Sequence, residues 1–161
     1  MRLTGYTDYC LRVLIYVGTH PEGRVTIAEI ARNYAISENH LVKVVHFLGK
    51  AGFLANMRGR GGGLMLARSP ERINIGDVVR SAEGPAVPAA CFDAHAPHCS
   101  IAPACRLRGV LRDAVDAFYG VLDGYTLADL MATGQRRRQL RTLLHLPPLS
   151  GVRSARAAVK P

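Results

Sequence analysis

The stretch TIAEIARNYAISENHLVKVVHFLGKAGFLANMRGRGGGLMLA, residues 26–67, decides the fold. Its opening, Thr26-Ile27-Ala28-Glu29, reads as a capping box. The Thr26 hydroxyl caps a short helix with one apolar face, and Glu29 reaches back to the Thr26 backbone. After Tyr34-Ala35-Ile36, Ser37 can cap a second helix running to Leu48, with Leu41, Val44, Val45 and Leu48 turned inward. Lys50-Ala51-Gly52 closes it. Two short helices joined by a tight turn form a helix-turn-helix pattern. Residues 53–58 then predict a strand and 64–67 its return, with Gly59-Arg60-Gly61-Gly62-Gly63 as the tip between them. A helix-turn-helix followed at once by a hairpin is a winged helix. The tip glycines allow close approach to a phosphate backbone or a narrow groove, and Arg58 and Arg60 bring positive charge there. Ser37, Asn39, His40 and Lys43 fall at the exposed start of the second helix. Asn39 and His40 are suited to base edges, and Lys43 and Ser37 also to phosphate.

Upstream, Thr7 is predicted to cap a first helix with Asp8 in its opening turn, where an acid suits the helix dipole. Leu11, Leu14, Ile15 and Val17 mark its expected buried stripe. Downstream, a short helix begins at Ile75 and ends near Gly84. Residues 85–103 are loop-like, with Pro85, Pro88, Pro97 and Pro103. Helical periodicity returns from Ala104 to Leu122 through Leu107, Leu111, Ala114, Phe118, Val121 and Leu122. That helix, about 28 Å long, has more apolar face than a small winged helix needs, which predicts pairing with its twin in a homodimer. The expected fold is mainly α with a small β-hairpin: a winged helix-turn-helix over 1–83, a cysteine loop over 84–103, a dimerisation helix and following segment over 104–133, and a basic tail over 134–161.

A chain of 161 residues, 48% hydrophobic and 20% charged, is an ordinary globular domain able to bury its own core. The net charge of +9 is concentrated late: Arg136, Arg137, Arg138, Arg141, Arg153, Arg156 and Lys160 face no acid within 135–161. Pro147, Pro148, Gly151 and Pro161 argue against a folded element in that tail. The overall basicity therefore does not by itself identify a nucleic-acid partner. Met1-Arg2-Leu3-Thr4-Gly5 lacks the apolar run of a signal peptide, and no run reaches the roughly 18 apolar residues of a membrane span, so the expected location is the cytoplasm, with no membrane partner. No paired acids, nucleophile–base motif or glycine loop before a helix suggests catalysis; residues 59–63 lie between strands and are not a phosphate-binding loop.

Four cysteines occur, Cys10, Cys91, Cys99 and Cys105. Cys10 lies in an apolar helical pattern and reads as a small core residue. Cys91-x7-Cys99-x5-Cys105 lacks the close knuckles usual for zinc. Three thiolates on one loop could wrap an iron–sulfur cluster and leave one corner for another donor: His95, His98, Cys10 or a carboxylate from elsewhere. The spacing equally fits a redox-active thiol set.

Several motifs in order carry a resemblance. Thr7-Asp8-Tyr9 with Leu11-Arg12, then Ser37-Glu38-Asn39-His40-Leu41-Val42-Lys43, then Arg58-Gly59-x-x-Gly62-Gly63, resemble the winged-helix iron–sulfur transcription regulators. Cys99-x-Ile101-x-Pro103-Ala104-Cys105-Arg106-Leu107, followed by Tyr125-Thr126-Leu127-Ala128-Asp129-Leu130, is similar to the nitric-oxide-sensing repressors of that family. The likeness covers residues 1 to about 133 and leaves out the tail. It implies a homodimeric repressor on a pseudo-palindromic double-stranded DNA operator. It further implies one [4Fe–4S] cluster per subunit on Cys91, Cys99 and Cys105, with the partner subunit's Asp8 as fourth ligand. Nitrosylation of that cluster would release the DNA. The chain departs from the branch that carries a histidine three positions beyond the third cysteine, because Arg108 stands there. Its seven-residue gap from Cys91 to Cys99 is longer than expected for close relatives. Same-fold sensors of iron–sulfur status, oxygen or redox state, and a zinc-stabilised winged-helix DNA binder, are the alternatives.

Overall fold

The computed structural model describes residues 2–20, 24–57, 59, 62–93, 99–101, 104–131 and 134–144. Helix α1 (Gly5–Gly18) runs through the centre of the domain. Around it are α2 (Ile27–Tyr34), α3 (Glu38–Lys50), the strands β1 (Leu54–Met57) and β2 (Gly63–Leu66), α4 (Ile75–Glu83), α5 (Arg106–Asp123), α6 (Leu127–Met131) and α7 (Gly134–Leu143). The architecture is mainly α with one antiparallel hairpin, as the sequence predicts.

Helix α1 buries Cys10, Val13, Leu14 and Val17, the i, i+3, i+4, i+7 spacing of one helical face, together with Tyr16. Each fully buried Val or Leu contributes roughly 1.5–3 kcal/mol. The expected stripe was displaced: Leu11 and Ile15 are only half-buried. Both α3 and α4, with α6 as a third neighbour, pack against α1, so its buried face is set by those contacts rather than by its own most apolar residues. The cap also moves. Thr4, not Thr7, is the N-cap and accepts from the Thr7 backbone N–H at 3.3 Å. Thr7 is buried one turn inside. The reason is tertiary: the Glu83 carboxylate of α4 accepts from the Thr4 backbone at 2.7 Å and its hydroxyl at 3.0 Å, fixing Thr4 as the helix start.

Strands β1 and β2 pair in register Leu54↔Leu66 to Met57↔Gly63, and Val25 bridges to Leu64 as a third edge. That third chain explains one tip glycine. A Cβ on Gly63 would lie 3.0 Å from the Val25 carbonyl and 2.9 Å from the Arg24 Cβ, closer than such atoms tolerate.

Helix α5 is pinned to α4 at its C-terminal end. Arg80 donates to both Asp123 oxygens, at 2.6 and 2.5 Å, and its guanidinium lies 4.6 Å from the Tyr119 ring centroid. The Arg80 hydrogen bonds hold the Asp123 carboxyl below the usual carboxylate range. Val115, Phe118 and Leu122 pack on the core, and Tyr119 is buried.

The tail expectation fails for its first part, because α7 is a helix. The Arg141 side chain is buried and donates to the Thr19 carbonyl at the C-terminal end of α1, and Leu144 is buried beside it. The prolines that argued against structure, Pro147 and Pro148, come after this helix; residues 145–161 lie outside the described residues. No helix among the described residues is long and apolar enough to cross a membrane.

Candidate nucleic-acid interface and cysteine loop

Three features present α3 at the surface. The Thr26–Glu29 capping box forms as expected: Glu29 accepts from the Thr26 backbone at 2.6 Å, and the Thr26 hydroxyl accepts from the Glu29 backbone at 3.2 Å. Helix α2 then ends at Ala35 in the left-handed conformation, φ 52°, and the chain turns through buried Ile36. Leu41, Val44, Val45 and Leu48 of α3 are all buried, as predicted. The opposite face is consequently free: Ser37, Glu38, Asn39, His40, Val42, Lys43, His46 and Lys50 are exposed. The four residues expected there are thus gathered on one surface. Ser37 stands at the N-cap position, but its side chain makes no capping hydrogen bond. Sequence reasoning missed His46 and Lys50, whose i+3 and i+7 relation to Lys43 was available.

Helix α1 braces this surface. The Tyr6 hydroxyl donates to the Lys43 carbonyl at 3.4 Å, the Tyr6 ring meets Phe47 edge-on at 5.6 Å, and the Tyr9 ring lies 6.3 Å from that of His40. Asp8, the neighbour of Tyr9, pairs with Arg12 at 2.8 Å on a partly exposed face. The hairpin follows α3 directly through Gly52, whose φ of 74° suits glycine. Arg58 and Arg60 lie outside the described residues.

The cysteines divide into two kinds. Cys10 is fully buried, and burial, with a smaller contribution from Glu83, pushes its thiol up to about 12. This is a core residue and not an accessible thiolate. Cys91 sits half-buried in a single 3-10 turn, Ala90–Phe92; Cys99 is exposed; Cys105 is half-buried at the N-cap of α5. All are free thiols. Arg108, whose guanidinium lies 5.8 Å from the Phe92 ring centroid, ties the first turn of α5 to the turn carrying Cys91. This cross-link was invisible in the sequence, since its partners are linked only by folding. At the other end of the segment Glu83 holds α4 to the start of α1. Burial pushes its carboxyl up, but hydrogen bonds from Thr7 and Thr4 outweigh that and leave it below the usual range.

Soft, free and accessible thiols of this kind suit iron–sulfur ligation. Among the described residues no three His, Cys, Asp or Glu side chains gather in one chain at metal-binding distance. His95 and His98 lie outside the described residues.

The chain is 48% identical over 145 residues to the HTH-type transcriptional regulator NsrR of Geobacillus kaustophilus (strain HTA426), spanning 89% of this chain and 97% of that one. Its structure is similar to CymR, the global cysteine regulator of B. subtilis, with a TM-score of 0.64 at 31% identity, over 82% of this chain and 97% of that chain. It is also similar to T. potens IscR, with a TM-score of 0.66 at 28% identity, over 82% and 87% of the two chains. These relatives are regulators and not enzymes. The Rrf2 family, described as iron-dependent transcriptional regulators, matches residues 3–133, and the chain belongs to this family of DNA-binding regulators.

Proposed function

We propose that this protein is a cytoplasmic homodimeric repressor that senses nitric oxide through a [4Fe–4S] cluster. The observation that carries the reading is a recognition-helix surface braced by the same helix, α1, that bears Asp8, in a chain with three free thiols between α4 and α5. The likeness of residues 99–107 to nitric-oxide-sensing repressors, and the relatives named NsrR, support the choice of effector.

In this reading Asn39 and His40 contact base edges, Ser37 and Lys43 reach bases or phosphates, and Arg58 and Arg60 approach the backbone from the wing. A homodimer sets two α3 helices against half-sites about 34 Å apart, which accounts for a pseudo-palindromic operator. Helix α5 supplies a surface for the dimer. Leu107, Val110, Ala114, Ala117 and Val121 are all exposed and recur at alternating spacings of three and four residues, the pattern of a helix-pairing seam. This stripe is separate from the Val115, Phe118 and Leu122 face that packs on the core.

Cys91, Cys99 and Cys105 would hold the cluster, with the partner subunit's Asp8 completing the set. When bound, the cluster supplies thiolate-ligated irons, one of them with a hard oxygen ligand that a small π-acid displaces more readily than a thiolate. For Asp8 to serve there it must leave Arg12, an exposed pair that holds it only weakly. A carboxylate held across the dimer fixes α1, and α1 fixes α3 through Tyr6 and Tyr9. Release of Asp8 lets α1 shift and loosens that brace, so the arrangement matched to both half-sites is no longer favoured.

The test is to purify the protein without oxygen and titrate it with nitric oxide, following visible absorbance, iron and sulfide. A brown protein with about four irons per chain that bleaches stoichiometrically and then releases operator DNA is the expected result. A protein that stays colourless after cluster reconstitution overturns the cluster reading and leaves a DNA binder with zinc or free thiols. A brown protein that ignores nitric oxide but responds to oxygen or cluster loss overturns the choice of effector.

A further inference from the structure

The solvent-facing side of α3 carries one residue that its neighbours do not explain. Val42 is 52% exposed. Every other exposed position of the helix is polar: Glu38, Asn39, His40, Lys43, His46 and Lys50. The core takes Leu41, Val44, Val45 and Leu48 from this helix, all of them buried, so Val42 is not a core residue left partly open. Local preference does not favour it either, because a β-branched side chain loses χ1 freedom in a helix.

Its position is informative. Val42 is the fifth residue of α3, within the N-terminal part of a recognition helix that reaches base edges. It shares a stripe with Asn39, three residues before, and His46, four residues after. At 1.5 Å per residue it lies about 4.5 Å along the axis from Asn39, little more than the roughly 3.4 Å between stacked base pairs. In a groove the two side chains therefore face neighbouring or next-neighbouring base pairs. The isopropyl group is too short to reach phosphate and forms no hydrogen bond. In the major groove, the apolar base edge that such a group can cover is the C5-methyl of thymine.

We propose that Val42 is a specificity-determining residue that reads a thymine methyl in each operator half-site. This rests on α3 being the helix that enters the major groove. Removing one methyl from the contact forfeits about one methyl group's worth of buried apolar surface, or about four-fold in affinity for one half-site.

The test uses a duplex site selected from random-sequence DNA by the protein purified without oxygen. Each thymine of one half-site is replaced in turn by uracil, which deletes only the methyl. Wild type should lose about four-fold at one position and little elsewhere. Val42→Ala, which removes the contact from both half-sites, should bind the unmodified site about sixteen-fold more weakly than wild type, and should no longer respond to uracil there. Its thermal melting should not fall below wild type, as the side chain is not part of the core and alanine is the better helix former. Wild-type indifference to every uracil overturns the proposal, as does an undiminished uracil penalty in Val42→Ala. Asn39→Ala separates the two layers of the argument. If it too binds like wild type, α3 does not read bases, and the recognition-helix assignment falls together with Val42.

Discussion

Ala35 holds the turn between α2 and α3 in a left-handed conformation at φ 52°, which an L-residue with a Cβ adopts at a cost of roughly 1–2 kcal/mol. Glycine adopts it freely but loses more entropy on folding. The balance predicts that Ala35→Gly stabilises the domain by about 0.5–1 kcal/mol, read as a higher urea midpoint with an unchanged slope; a lower midpoint would show that Ala35 is unstrained. Cys10 makes a second prediction through pH. Unfolded, its thiol ionises near the ordinary 9.0; folded, burial keeps it neutral up to about 12. The folded value is raised, so the contribution is complete below pH 9 and is lost as pH climbs toward 12. The stability advantage of wild type over Cys10→Ala should therefore shrink by about 1–2 kcal/mol between pH 8 and 10.5. Urea unfolding at the two pH values measures it, and a constant gap would mean the thiol titrates alike in both states.

Helix α7 shows how an element can be decided by what it docks against. Its sequence is strongly polar and rich in arginine, but Leu144 is buried at its end, Leu140 packs on the core, and Arg141 points inward to the Thr19 carbonyl. That carbonyl belongs to the C-cap residue of α1, where the helix leaves acceptors unsatisfied and a cation suits the dipole. Arg141→Ala should cost about 1–3 kcal/mol and expose α7 to proteolysis, measured by urea unfolding and by limited trypsin digestion followed by mass spectrometry. Unchanged stability and unchanged cleavage would show that α7 does not depend on this bond. The pairing of α4 with α5 follows the same logic. Gly76 leaves room for the Asp123 side chain that Arg80 grips, and neither partner announces the other in the sequence.

The domain leaves one helix face uncovered. Leu107, Val110 and Val121 of α5 are 60%, 61% and 63% exposed in the single chain. A groove of about 620 Å³ also lies beside α5, its apolar wall made by Leu111, Ala114, Val115 and Phe118 and its rim carrying the charged Arg2 and Glu83. Apolar surface in this concentration marks an association site. A charge placed in the seam should separate the copies without unfolding either. Val110→Glu is expected to move the protein from dimer to monomer in sedimentation equilibrium, with an unchanged far-ultraviolet circular dichroism spectrum and operator affinity reduced at least ten-fold, about 1.4 kcal/mol. A variant that remains dimeric would place the seam elsewhere.

Local pattern sufficed wherever the deciding interactions lie close in the chain. The capping box at Thr26 and Glu29, the inward face of α3 from Leu41 to Leu48, the hairpin after Gly52 and the core role of Cys10 were all legible, because each rests on propensity, periodicity or turn chemistry within a few residues. Tertiary structure decided the rest. Glu83, some eighty residues away, selects Thr4 as the cap of α1; packing against α3, α4 and α6 sets which side chains of α1 are buried; Thr19 recruits an arginine-rich segment into α7; and Arg108 finds Phe92 across the cysteine segment. Charge and hydropathy are properties of a residue. A partner distant in sequence is a property of the fold, since the entropy of bringing it close is recovered only when the surrounding core forms.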